Sequence, residues 1–383
     1  MIPFDVQIPT RIVFGPDRLD ELGLLAQELP AHRALVVSDP GIVAAGHAPR
    51  GIASLVAAGL EVELFDGVVE NPTSDVVDRG VEVARRFRPD LLVGLGGGSS
   101  LDCAKGINFV YTGGGQMVDY WGVGKARGPM LPLVGVPTTA GTGSEMQSFA
   151  LISDPTTHVK MACGDRRASC RIALLDPKLT VTQPPRVTAL TGIDAVAHAL
   201  ETYVTRRRNA FSVVMSREAW LLLEANFARV LEAPDDLQAR GAMQLGAALA
   251  GLAIEHSMLG AAHALANPLT AHFDLPHGQA VALMLPHVIR FNGVEHDAWY
   301  RELLEFASGT RSAPPAAAGA DGLADFVTGL VARAGLATRL SECGVDLDNL
   351  ATLAEEAAQQ WTGTFNPRPV GPAELLSLYE AAR

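Results

Sequence analysis

The chain has 383 residues, 48% of them hydrophobic and 19% charged, which is too long for one ordinary core and too apolar for a disordered protein. Its formal net charge is -12 and its longest basic run is Arg206-Arg207-Arg208, so the electrostatic footprint of a nucleic-acid binder is excluded. Four cysteines, Cys103, Cys163, Cys170 and Cys343, stand apart without CxxC pairs, and the opening residues lack a basic segment followed by an apolar one; a reduced, cytoplasmic setting is expected.

Up to about residue 184, short β-rich runs alternate with helical patterns, the signature of a parallel α/β sheet. Strands are expected at Ala34–Ser38, Val62–Phe65, Leu91–Gly94 and Leu131–Val136, with a helix over Asp75–Phe87. Pro184-Pro185 breaks the chain, and the remainder is almost wholly helical in pattern, punctuated by Pro and Gly clusters at 275–278, 308–322 and 366–372. Two domains follow from this: 1–184, an α/β dinucleotide-binding domain with a parallel sheet, and 185–383, an all-helical domain for metal and substrate. The most apolar stretch, Gly241–Ile254, is shorter than the ~20 residues of a membrane span and reads as a buried helix. Ser312–Asp321 reads as a flexible surface loop, and no internal repeat is visible.

Three features of the first domain point to a dinucleotide. Gly96-Gly97-Gly98-Ser99-Ser100 follows a strand and leads into an apolar helix, so backbone N–H groups and the helix dipole can meet a pyrophosphate. This is not the GxGxxG fingerprint, and a tight turn without a ligand explains it about equally well when it stands alone. Pro137 to Glu145 adds a second turn of small hydroxyl residues after another strand, where α/β sheets bind ligands. Asp39 closes a strand and can accept from a ribose diol while repelling a 2′-phosphate, which predicts NAD over NADP. The plainer reading of Asp39, a cap or turn residue before Pro40, stays open, and Asn71 before Pro72 has the same alternative.

In the second domain Asp194 and His198 are four residues apart, on one face of a predicted helix, where one cation can bridge both. The block Gly260–Gly278 adds His263, His272 and His277 among Ala and Leu, and buried imidazoles need partners. Any one of these histidines alone is more simply a core or surface residue. Together, a carboxylate with imidazoles suits Fe(II) or Zn(II), and affinity alone favours Zn(II).

These pieces, in this order, resemble the iron-containing (group III) alcohol dehydrogenases, a family with a dehydroquinate-synthase-like fold. The resemblance spans nearly the whole chain: Arg11–Gly15, Gly96–Lys105, Pro137–Glu145, Ala173–Pro177, Thr191–Glu201, His263–Gly278, Leu285–Val288 and Asn366–Pro369. It implies metal ligation by Asp194, His198, His263 and His277, with Fe(II) before Zn(II), and leaves His272 outside the ligand set. It implies NAD contacts from Asp39, Asn71, Gly97, Gly98, Ser99, Thr138, Thr139, Thr142 and Lys160. Substrate-facing positions are implied at Phe149, Ile254, Leu259 and Thr362, and their apolar balance favours a small or medium aliphatic alcohol or aldehyde over a polyol. The family also implies a homodimer or larger assembly, while the acidic charge and the short apolar run lead us to expect no nucleic-acid or membrane partner.

One departure stands out. Family members usually carry a second histidine four residues after the one at 263, thought to move the alcohol proton to solvent, and here that position is Asn267. An amide hydrogen-bonds but takes up no proton near neutral pH. His272 lies about 180° round an ideal helix from His263, beyond Pro268, and His256 lies ~10 Å along the axis, so neither replaces it by spacing. The competing readings are a glycerol dehydrogenase or maleylacetate reductase, both disfavoured by the ligand pattern, a hydroxyacid-oxoacid transhydrogenase of the same superfamily, and a low-turnover protein that binds NAD and metal.

Overall fold

A computed structural model describes residues 3–157, 159–308 and 318–383. The chain divides into two compact units, one over Gln7–Gln183 and one over Pro184–Arg383 with residues 3–6.

The first unit is built on a six-stranded parallel sheet. Its strands are β1 (Arg11–Phe14), β2 (Arg33–Val37), β3 (Glu61–Phe65), β4 (Leu91–Gly96), β6 (Leu133–Pro137) and β9 (Ile172–Leu175), in spatial order β1-β9-β6-β4-β2-β3. A smaller sheet of β5 (Gly122–Val123), β8 (Lys160–Gly164) and β7 (Phe149–Ser153) lies beside it in sequence. The central strands β2, β4 and β6 are almost wholly buried, and sheets covered on both faces require such unbroken apolar runs. Alternation sorts them: Ala34 and Val36 pack with Leu22, Leu55 and Val93 on one face, whereas Leu35 and Val37 pack with Val77, Leu92 and Ile107 on the other.

The covering helices are α1 (Leu22–Gln27), α2 (Pro40–Ala44), α3 (His47–Ala57), α4 (Ser74–Phe87) and α5 (Gly98–Gly113). The four expected strands are present with ends shifted by one or two residues. Strands β1 and β9, four residues each, were not anticipated as strands, because so short a run carries no resolvable period-2 pattern.

The second unit is helical: α6 (Pro185–Val204), α7 (Ala210–Glu232), α8 (Leu237–His256), α9 (Ala261–Phe273), α10 (His277–Ser308), α11 (Gly319–Arg333), α12 (Leu350–Ala358) and α13 (Pro372–Ala381). The apolar run 241–254 forms the body of α8, and among the described residues no single helix is long and apolar enough to cross a membrane. Of the expected loop 312–321, residues 312–317 lie outside the described residues and 319–321 belong to α11. Helix α9 continues through Pro268, whose ring removes one internal hydrogen bond, and it packs on α10 and α12.

Two close approaches fix the functional segments. A Cβ at Gly278 would lie 2.1 Å from the Leu190 carbonyl oxygen, so only glycine lets the first turn of α10 meet α6 one turn before Asp194. A Cβ at Gly98 would lie 2.6 Å from Thr142 Cγ2, so the two glycine-bearing turns of the first unit touch.

Candidate metal centre and cofactor turns

Helix α6 presents Asp194 and His198 one turn apart, α9 presents His263 in its first turn, and α10 begins at His277. Their side chains converge on a single atom. Asp194 Oδ1 lies 3.6 Å from His198 Nε2, 3.4 Å from His263 Nε2 and 3.8 Å from His277 Nε2. Asp194, His198 and His263 are buried, whereas the His277 side chain keeps 27% of its surface. One ligand atom each from Asp194, His263 and His277 fall within 4.8 Å of one another, a group that can hold a metal ion. His198 stands slightly apart from that tightest group but faces the same carboxylate oxygen, its ring stacked on His263 at 4.8 Å.

The donor set fits a cation. Asp194 Oδ1 and His263 Nε2 are buried and make no hydrogen bond despite their proximity, an arrangement that costs free energy unless a third group sits between them. Burial works to raise the Asp194 pKa, yet the charge of His198, the contact with His263 and the charge of His277 outweigh it and hold the carboxyl well below the usual carboxylate range. Burial likewise depresses His263, but the charges of Glu201 and Asp194 push it up to about 9. A site so eager to gather positive charge suits a divalent ion.

The remaining histidines are elsewhere. His272 Nε2 bonds Glu356 Oε2 at 2.7 Å on the exposed side of α9. His256 ends α8, which meets α9 at 104°, and its ring stands edge-on to Phe211 at 5.0 Å. Asn267 lies on α9 one turn after His263, and its Nδ2 donates to Gln360 Oε1 at 2.9 Å. Ile254 and Leu259 are buried against Met258 and Phe365, and Thr362, 6% exposed, has a buried hydroxyl that makes no hydrogen bond.

Glu201 is a residue whose part the sequence did not disclose. It is buried on α6, seven residues from Asp194 and three from His198, and accepts from Ala262 N at 2.7 Å while its other oxygen lies 2.5 Å from His263 Nδ1. Its i, i+4, i+7 spacing with the two ligand candidates was the available signal.

In the first unit, Asp39, Gly97 to Ser99 and Thr138 to Thr142 all stand just beyond the carboxyl ends of β2, β4 and β6, which are neighbours in the sheet. That is the ligand-binding edge of a parallel α/β sheet. Gly97 is the N-cap of α5, and Thr138 N donates to Gly96 O at 2.9 Å. Asp39 fills the plainer role too: it caps α2 through Ile42 N at 3.0 Å and accepts from Ser100 Oγ at 3.3 Å.

The fully buried Lys105 ties this edge together, donating to Ser144 O and Oγ at 2.7 Å and to Phe149 O at 2.8 Å. Asp102 completes the network by accepting from Ser144 Oγ at 2.5 Å and Leu151 N at 3.2 Å. Burial raises the Asp102 pKa against the opposing charges of Lys105 and Lys160, which places Lys160 within electrostatic reach. Asn71, at a φ of 50°, adjoins the same strands, since Thr73 bridges Ser153 and Ser153 pairs with Lys160.

A parallel α/β unit with paired small-residue turns, followed by a helical unit holding a carboxylate–imidazole cluster, defines a metal-binding oxidoreductase. The chain belongs to the iron-containing alcohol dehydrogenases: residues 9–177 match that family's model and residues 188–383 match the model of its C-terminal part. It is 32% identical over 381 residues to a 1,3-propanediol dehydrogenase of Klebsiella pneumoniae, covering 99% of this chain and 98% of that protein. A NAD-dependent methanol dehydrogenase of Bacillus methanolicus is 31% identical over 375 residues, covering 98% of each. The structure of a sulfoacetaldehyde reductase from Bifidobacterium kashiwanohense in complex with NAD+ superposes with a TM-score of 0.89 at 27% identity, covering 100% of this chain and 99% of that one.

Proposed function

We propose that this enzyme transfers a hydride between NAD(H) and a small or medium aliphatic alcohol or its aldehyde, using Fe(II), or Zn(II) in its place, held by Asp194, His198, His263 and His277. The observation that carries the reading is the convergence of three imidazole Nε2 atoms on Asp194 Oδ1, with buried donor and acceptor atoms left without hydrogen bonds. When bound, the metal supplies Lewis-acid polarisation of the substrate oxygen and NAD supplies the hydride acceptor.

The chain's own residues do the rest. Asp194 brings the one negative charge among the four ligands, and the partly exposed His277 marks the side from which substrate reaches them. Ile254 and Leu259 offer an apolar wall that excludes water, and the Thr362 hydroxyl supplies a polar atom for a substrate oxygen. Asn267, steadied by Gln360, orients a substrate or water by hydrogen bonds without taking up a proton. In the first unit Gly97, Gly98, Ser99, Thr138, Thr139 and Thr142 receive the dinucleotide phosphates and nicotinamide side, with Asn71 from the loop before α4 and Lys160 from β8, while Phe149 on β7 faces the substrate. Asp39 receives the adenosine ribose and disfavours a 2′-phosphate. The names of the relatives, covering propanediol, methanol and sulfoacetaldehyde, support short-chain alcohols and aldehydes as the substrate class.

The test is metal analysis joined to an NAD-reduction screen over aliphatic alcohols and diols, on protein reconstituted separately with Fe(II) and Zn(II). Turnover with short alcohols and one metal per chain is expected. The double variant Asp194→Ala/His277→Ala is expected to lose both, and a variant retaining stoichiometric metal and full turnover overturns the ligand assignment.

A further inference from the structure

We propose that Glu201 is a positioning residue for the metal centre: its carboxylate both caps helix α9 and fixes the His263 ring so that Nε2, and not Nδ1, is presented as the ligand atom. This rests on the metal reading above and adds to it the residue that sets the geometry of one ligand.

Two donors face one side chain. Glu201 Oε1 accepts the backbone N–H of Ala262 at 2.7 Å, and Oε2 takes the Nδ1 proton of His263 at 2.5 Å. Ala262 is in the first turn of α9, where backbone N–H groups have no partner within the helix, and a negative charge there is favoured by the helix dipole. The same first turn is held from a second direction, since Ala261 N donates to Asn366 Oδ1 at 3.3 Å and Asn366 exchanges hydrogen bonds with Asn292 at 3.0 and 2.7 Å. Glu201 therefore grips α9 where His263 leaves it, and grips the ring itself. With Nδ1 protonated and engaged, a neutral imidazole has its lone pair on Nε2, the atom that lies 3.4 Å from Asp194 Oδ1. Glu201 is 3% exposed, so water does not substitute for either bond.

Only a carboxylate satisfies both donors. The isosteric amide of Glu201→Gln has one acceptor oxygen and one NH2 group. If its oxygen faces Ala262 N, its NH2 faces His263 Nδ1 and forces the proton onto Nε2, which removes the lone pair a metal needs. If its oxygen faces His263, its NH2 opposes the Ala262 N–H and the helix start is disturbed. The substitution changes no volume, so its effect reports hydrogen-bond direction.

The experiment titrates Zn(II) and Co(II) into metal-free wild type and Glu201→Gln, with circular dichroism and thermal melting of both metal-free proteins alongside. The expected result is a folded Glu201→Gln protein whose Zn(II) affinity is weakened by about 10- to 100-fold and whose Co(II) visible spectrum is altered. A Glu201→Gln protein with wild-type affinity and an unchanged Co(II) spectrum overturns the proposal. A second measurement needs no variant: in Zn(II)-loaded wild type with 15N-labelled histidine, the His263 ring is expected to show a proton on Nδ1 and a metal-bound Nε2, and the opposite tautomer overturns the proposal even if Glu201→Gln does not fold. Wild type that binds no stoichiometric metal fails at the earlier step, the ligand assignment itself, and is told apart by the wild-type titration alone.

Discussion

Asp194 Oδ1 and His263 Nε2 face each other at 3.4 Å, both buried and neither in a hydrogen bond. A fold that holds two such atoms together without a bond between them is strained toward a ligand. Native protein binds the cation and unfolded chain does so poorly, so saturation to 100 times the dissociation constant adds about 2.7 kcal/mol of stability. For a unit of this size that corresponds to a rise of roughly 5 to 10 °C in melting temperature. Calorimetry with and without chelator is expected to show the shift in wild type and to lose it in Asp194→Asn, which keeps the shape of the side chain and drops its charge. A wild type whose melting ignores both Zn(II) and Fe(II) would count against the site.

Asn267 occupies the turn after His263 and bonds Gln360, so no group that titrates near neutrality stands at that position. Asn267→His places an imidazole of ordinary pKa near 6.5 there. Its acid–base function requires the neutral form, so kcat for alcohol oxidation is expected to gain a limb that rises with pH between about 5.5 and 7.5. Asn267→Ala is expected to show no such limb and to cost about 1 kcal/mol of stability for the lost hydrogen bond to Gln360. A pH–rate profile of Asn267→His that matches wild type throughout overturns the reading of position 267.

How far the sequence speaks depends on the kind of signal. The parallel sheet was legible because β2, β4 and β6 are unbroken apolar runs separated by helical patterns, and the helical second unit because its period never lapses into alternation. Spacing of four put Asp194 and His198 together, since one helix carries both. Bringing His263 and His277 to them depends on α9 meeting α8 at 104° and on Gly278 lying against Leu190, tertiary facts with no local signature. Here the family resemblance, and not periodicity, separated His263 and His277 from His272. Glu201 was in plain view at the end of the same motif, yet its position in the sequence does not say that it faces Ala262 N and the His263 ring. For Asp39 the sequence left two roles open, and the structure displays the cap at Ile42 N directly.

The two roles of Asp39 can be separated by substitution. Asp39→Ser retains an oxygen for the cap and removes the charge, whereas Asp39→Ala removes both. Stability is expected to be nearly unchanged in the first and to fall by about 1 kcal/mol in the second. If the charge also repels a 2′-phosphate, the ratio of kcat/KM for NADP to that for NAD is expected to rise in both variants, by about tenfold or more. Steady-state kinetics with the two cofactors decides it, and an unchanged ratio in both leaves Asp39 a structural cap alone.

Glu145 closes the second small-residue turn and is 2% exposed. Burial pushes its pKa up to about 7, with the Lys105 charge opposing and the Asp102 charge reinforcing the rise. The unfolded chain titrates near 4.5, so between about pH 4.5 and 7 the folded protein binds more protons than the unfolded one. Stability conferred by the neutral carboxyl is therefore full below pH 4.5, is lost as pH climbs through the window, and stays lost above it. A shift of this size corresponds to roughly 3 kcal/mol at most. Glu145→Gln keeps the shape and abolishes the charge, so it is expected to match wild type at pH 4.5 and to exceed it by up to roughly 3 kcal/mol at pH 8. Urea unfolding of both proteins across that range, following the transition of the first unit, measures the difference. A gap that does not widen with pH overturns this reading, because it means that folding does not raise the Glu145 pKa.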